Sequence, residues 1–129
     1  MRIYRRILLA STLAASLFAG ATVHASQLEQ IKKKGELVVG ILGTDEPNSF
    51  IDPKTREYIG YEVDLAKEVA AKMGVKPVFK QVAVAARIPA LQQGRIDMLA
   101  ASLTHNKERE AQIDFSLTHL LTGSKVMVK

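Results

Sequence analysis

Two short apolar runs set the limits on how this chain can fold. Leu37 to Ile41 reads Leu-Val-Val-Gly-Ile and Met98 to Ala101 reads Met-Leu-Ala-Ala, and neither alternates with polar residues. A strand with one wet face would alternate, so these runs suit strands covered on both faces, as in parallel sheets flanked by helices. The segments between them supply the helices. Gln27 to Lys34 reads as a short helix closed by Gly35, with Lys32 to Lys34 complementing the dipole at its end. From Gly60 an amphipathic helix begins, with Val63, Ala66, Val69, Ala70 and Met73 at helical spacing and Gly74 at its end. Asp64, alone in its first turn, offsets the helix dipole. Val75 to Val84 reads as a strand with lysines at its flanks. Ile88 to Gln93 follows as a short helix closed by Gly94, and Pro89 sits in its first turn, where a missing N–H costs nothing. The expectation is an α/β fold: a mostly parallel sheet with helices on both faces.

In open sheets of this kind ligands gather beyond the carboxyl ends of the strands. Two segments lie there. Leu42 to Tyr58 is a loop rich in Gly, Asp, Pro and Asn, with Asp45 and Phe50 as its candidate ligand contacts, or else a turn-former and a small satellite-core aromatic. After Ala101, Ser102 and Thr104 bring hydroxyls to a strand end, Asn106 is a good N-cap, and Lys107 to Ile113 forms a short helix carrying Arg109. A guanidinium beside free backbone N–H groups favours an anion, and its planar fork matches a carboxylate. The plainer alternative makes Ser102 and Thr104 turn residues and Arg109 a solvated charge.

Residues 1–25 have the build of a secretory signal peptide, with Arg2, Arg5 and Arg6 ahead of an apolar core from Ile7 to Ala19 and a Val23-His24-Ala25 cleavage site. The core is shorter than the roughly 20 residues that a membrane-spanning helix needs. Its removal takes Lys+Arg from 18 to 15 against 13 Asp+Glu, a net +2 without a clustered basic face, so no nucleic-acid partner is expected. The chain has no cysteine, hence no disulfide framework and no thiolate chemistry. His105 and His119 are too few and too far apart for a metal site, and no cofactor is expected.

Three motifs carry a family resemblance. Lys33-Lys34-Gly35-Glu36-Leu37-Val38-Val39-Gly40, Gly60-Tyr61-Glu62-Val63-Asp64-Leu65-Ala66 and the Ser102-x-Thr104 step followed by Arg109 resemble the periplasmic amino-acid-binding proteins that serve ABC importers. The resemblance implies a periplasmic-binding-protein-like (type II) first lobe over 26–129, truncated before the second lobe. It also implies that Arg109 clamps the ligand α-carboxylate, that Ser102 and Thr104 meet its carboxylate and ammonium, and that Phe50 stands on one wall of the cleft. Asn106 and Lys107 replace a Thr and a Pro common in the family. Arg87-Ile88-Pro89-Ala90-Leu91-Gln92-Gln93-Gly94-Arg95-Ile96-Asp97 resembles the glutamate/aspartate branch, where this Arg reaches the side-chain carboxylate, although Ala86, Val84 and Leu42 depart from that branch.

The implied function is the solute-binding component of an amino-acid importer, a periplasmic protein that hands a polar amino acid, with an acidic one as the lead, to a permease in the inner membrane and does not itself span it. One lobe alone is expected to bind weakly or undetectably, and an uncovered sheet edge to favour self-association. The alternatives are a sensory domain on the same fold, which calls for a transmembrane helix, and a dehydratase-like or lyase-like enzyme. An enzyme would need a general acid or base in the cleft, and Asp45 and Glu46 are the acids of the first cleft loop.

Overall fold

The structure, a computed structural model, describes residues 26–121, 123 and 127. The signal peptide expected over 1–25 lies outside them, as does all but Met127 of the strand expected to begin at Lys125. In chain order the elements are α1 (Gln27–Lys34), β1 (Glu36–Ile41), β2 (Thr44–Asp45), β3 (Ser49–Ile51), β4 (Tyr58–Ile59), α2 (Tyr61–Met73), β5 (Lys76–Gln81), a 3-10 turn (Val84–Ala86), α3 (Arg87–Gln92), β6 (Met98–Leu99) and α4 (Lys107–Glu110).

β1 is the centre of a three-stranded parallel sheet in the order β5-β1-β6. Val38 lies opposite Val78, Val39 opposite Phe79 and Met98, and Gly40 opposite Leu99. Because side chains of a strand alternate between faces, β1 feeds two cores. Leu37, Val39 and Ile41 pack with Ile31 of α1 and with Val63, Ala66 and Ala70 of α2. Val38 packs on the other face with Ala90 of α3 and Ile96. Each buried Val, Leu or Ile among them contributes about 1.5–3 kcal/mol. The α/β expectation with helices on both faces holds. Gly40 belongs to the α3 side, where a Cβ would come within 2.6 Å of Ile96 Cδ1.

Local signals explain most of the boundaries. Ser26 Oγ accepts from Glu29 N at 3.3 Å, opening α1, and Gly35 closes it in the left-handed region. Asp97 ties the entry of β6 to the middle of the sheet: its Oδ2 accepts from Val38 N at 2.8 Å and from Lys34 Nζ at 3.3 Å.

Four boundaries differ from the sequence expectation. The stretch 42–58 holds a small antiparallel sheet, β2-β3-β4, with Asp45 opposite Ser49 and Phe50 opposite both Thr44 and Ile59. Strands of two or three residues are too short to show alternation. β5 ends at Gln81 because the chain turns through Val84–Ala86, which brings the start of α3 forward to Arg87. β6 ends at Leu99, although Ala100 N still bonds Gly40 O at 2.9 Å. α4 stops at Glu110, where the N–H groups of Gln112 and Ile113 both turn back to the Arg109 carbonyl, the tightening common at helix ends.

The small sheet is docked on α2 by backbone hydrogen bonds, with Tyr58 of β4 packed against the core beside it. Tyr61 N donates to Pro47 O at 3.2 Å and Glu62 N to Asn48 O at 2.9 Å, so helix N–H groups without an intrahelical acceptor find loop carbonyls. Gly60 permits the approach: its φ is 122°, and a Cβ there would meet Asn48 O at 2.5 Å and Pro47 O at 2.7 Å. Gly60→Ala is therefore expected to destabilise the chain by about 2 kcal/mol or more. Gly74→Ala, at φ 71° with nothing within 4 Å of the added Cβ, should lose only about 1–2 kcal/mol. Urea denaturation of both variants against the parent chain checks the order.

Candidate functional site

β1 and β6 run parallel, so the chain leaving β1 toward Asp45 and the chain leaving β6 toward Ser102 emerge at the same rim of the sheet. There four side chains converge. Ser102 Oγ donates a short hydrogen bond to Asp45 Oδ2 and lies 3.3 Å from Glu62 Oε1. Asn48 Nδ2 donates to Asp45 Oδ2 at 3.2 Å and reaches Ser102 Oγ at 3.5 Å. Ser102 N donates to Glu62 Oε1 at 2.6 Å. Two carboxylates, from the first loop and from α2, thus meet at one serine.

Ser102 has φ 49°, a left-handed conformation that a serine adopts only when its surroundings hold it there. They hold it from both sides. Glu62 takes its N–H, and Arg87 takes its carbonyl: Nη1 donates to Ala101 O at 2.7 Å and to Ser102 O at 3.2 Å, while Nε donates to Val84 O at 3.0 Å. Both side chains are buried, Glu62 at 6% exposure and Arg87 at 9%. Glu62 Oε2 has no hydrogen-bond partner there. Burial holds the Arg87 guanidinium below its ordinary pKa, the positive charge of Arg109 pushes the same way, and Glu62 opposes both. The two arginines and the buried glutamate therefore share one electrostatic neighbourhood.

Arg109 is placed by α4. Asn106 caps that helix by accepting from Arg109 N at 2.8 Å, as the sequence suggested, and Arg109 Nη1 donates to the Thr104 carbonyl at 2.7 Å. No other side-chain bond of Arg109 is made among the described residues, and the group is half-buried. Its Nε–Nη2 edge therefore keeps the two parallel donors that a carboxylate needs.

Of the six residues expected at the site, Asp45 and Ser102 are joined directly, Arg87 holds Ser102, and Thr104 and Arg109 are joined to each other. Thr104 supplies its carbonyl to Arg109. Phe50 is half-buried in the middle strand of the small sheet and outside both core clusters. Glu62 and Asn48 were not among the expected residues. Glu62 was nonetheless detectable, because residues 62, 66 and 70 fall on one helical stripe, and a carboxylate in line with two alanines is out of place unless it is paired. His105 pairs with Glu110 at 3.4 Å and His119 with Tyr61 at 3.2 Å, both away from this cluster. Among the described residues no helix is long and apolar enough to cross a membrane.

The profile of the bacterial extracellular solute-binding proteins, family 3, matches residues 37–129. The chain is 34% identical over 105 residues to a glutamine-binding protein of Geobacillus stearothermophilus, covering 79% of this chain and 40% of that one. It is 29% identical to an L-glutamate/L-aspartate-binding protein of Pseudomonas aeruginosa, covering 100% of this chain and 46% of the relative. This chain thus spans less than half the length of these relatives. Among solved structures, it superposes with TM-score 0.71 and 38% identity on an ancestral amino-acid-binding protein described as a precursor of cyclohexadienyl dehydratase, covering 74% of this chain and 41% of that one. It also superposes with TM-score 0.61 and 33% identity on the arginine-bound form of domain 1 of TmArgBP, covering 64% of each.

The buried position of Glu62 has a measurable consequence. Glu62→Ala leaves the Ser102 N–H without its acceptor and the buried Arg87 without the nearby opposite charge, and should lose about 2–3 kcal/mol of stability. Asp64→Ala, two residues along the same helix and exposed in a pair with Lys67, should change stability by less than about 0.5 kcal/mol. Chemical denaturation of the two variants separates them.

Proposed function

The chain belongs to the bacterial extracellular solute-binding proteins, family 3, and from that membership we propose that it is the solute-binding component of an amino-acid ABC importer. In this reading Arg109 receives the ligand α-carboxylate, Ser102 and Thr104 line the approach to it, Asp45 faces the ammonium, and Phe50 forms a wall. The observation that carries it is the open Nε–Nη2 edge of Arg109, half-buried at the carboxyl rim of a parallel sheet. Charge-assisted bonds gain strength as water is excluded. Residues 1–25 are read as the signal that sends the protein to the periplasm, where it passes its ligand to a permease in the inner membrane.

Domain 1 of TmArgBP has been solved in an arginine-bound form, which supports weak rather than undetectable binding by one lobe. Capture in the open is weak because the ligand stays partly solvated, and closure by a second lobe would strengthen it.

A second reading has a specific observation behind it. Asp45 and Glu62 converge on Ser102, and the superposed precursor of cyclohexadienyl dehydratase belongs to a lineage leading to an enzyme. Incubation with prephenate, followed by absorbance, tests this; no turnover is expected.

For the binding reading, titration of the 15N-labelled chain lacking residues 1–25 with amino acids should give saturable shifts at the amides of Ser102, Thr104 and Arg109. Arg109→Ala should weaken binding by about tenfold or more, the worth of one charge-assisted bond. Unchanged affinity in that variant would remove the carboxylate assignment.

A further inference from the structure

Arg87 and Arg109 lie in one electrostatic neighbourhood with opposite degrees of freedom. Arg109 is half-buried and bonded once; Arg87 is the only buried Lys or Arg among the described residues. A guanidinium can present a carboxylate with two parallel donors from its Nη1–Nη2 end or from its Nε–Nη2 side. In Arg87 both faces are broken. Nε is committed to Val84 O, and Nη1 to Ala101 O and Ser102 O. Turning Arg87 toward a ligand would strip these three carbonyls of their donor, and at Ala101 O, where the bond is buried, the unpaired acceptor is costly.

We propose that Arg87 is a positioning residue that holds Ser102 in its left-handed conformation, and that it takes no part in recognising a ligand side chain, so that the site does not favour an acidic amino acid over its neutral amide. The proposal rests on the reading of Ser102 and Arg109 as ligand contacts, and it gives Arg87 a role different from the one implied by resemblance to the glutamate/aspartate branch. Arg87 and Glu62 act as the two jaws of a clamp on one residue, one on its carbonyl and the other on its N–H. With both fixed, the Ser102 hydroxyl stays on Asp45. The neighbouring turn closes the same unit, since Val84 O belongs to the segment that starts α3. Losing the guanidinium therefore loosens Ser102 for every ligand alike.

The experiment uses the 15N-labelled chain without residues 1–25 and needs no ligand for its first arm. In the parent chain the Ser102 amide should exchange with solvent slowly, although its residue is exposed, because Glu62 holds the N–H. Arg87→Met should shift the Ser102 resonance and speed that exchange, while the amides of Ala66 and Ala70 in α2 stay unchanged. Arg87→Lys, which keeps the charge and loses the fork, should behave like Arg87→Met. In the second arm, glutamate and glutamine are titrated separately. The parent should bind them alike, and both variants should weaken the two ligands by the same factor. A parent preference for glutamate of about tenfold or more, the size of a lost charge-assisted pair, erased by Arg87→Met with the Ser102 resonance unmoved, would overturn the proposal. Should Arg87→Met not fold, the parent and Arg87→Lys decide by the same two readouts. Arg109→Ala separates the two claims: if it leaves affinity untouched while the Ser102 amide still responds to Arg87, the ligand assignment falls and the clamp stands.

Discussion

β1 has no face toward water, and most of the architecture follows from that. Its alternate residues must be covered separately, by α1 and α2 on the side of Leu37, Val39 and Ile41 and by α3 on the side of Val38. A strand in that position cannot carry the site, because any polar side chain on it would be buried without a partner. Chemistry is displaced to where the strands end. Gly40, pressed against Ile96 and Leu99, shows how little room the sheet leaves even for a methyl group. The polar residues of the cluster begin only beyond Ile41 and beyond Ala101.

At that rim the structure meets a second constraint, since a chain leaving a covered strand must satisfy its backbone before it reaches solvent. The solution at Ser102 is two buried ions. Glu62 and Arg87 come from different helices, α2 and the start of α3, on opposite faces of the sheet. They meet across the strand end and grip one peptide unit. Buried ions are poor evidence of net stability, yet these two, each through its own hydrogen bond, hold a backbone conformation uncommon for serine. The left-handed turn at Ser102 is a property of three elements rather than of its local sequence.

That distinction explains what could be seen in the sequence. The helices and the central strand were legible because their signals are local: Ser26 and Gly35 bracket α1, Gly74 closes α2, Asn106 caps α4, and unbroken apolar runs mark β1 and β6. The small sheet was not legible, because β2, β3 and β4 are too short to show a period and are fixed by the docking of Pro47 and Asn48 carbonyls on α2. The site was half legible. Asp45, Ser102, Thr104 and Arg109 stand out as polar residues after strand ends. How far an arginine's donors are spent on the protein itself cannot be read from spacing, and Arg87 and Arg109 differ in just that respect. Glu62 sits within a motif whose evident purpose is packing helix on sheet, and its position on the Ala66–Ala70 stripe gave the only hint of its pairing.

The two arginines at this rim hold their charges differently. Burial and the like charge of Arg109 both disfavour the charged form of Arg87. Glu62 offsets part of this, but its Oε1 is committed to Ser102 and it lies beneath the surface. Asp45 stands at the same rim, so two acids face the two arginines and their formal charges balance; what sets Arg109 apart is the guanidinium edge that remains open. The buried arginine differs in kind: it holds the shape of the Ser102 loop through hydrogen bonds to three carbonyls. A lysine in its place would keep the charge and lose the fork that makes those bonds.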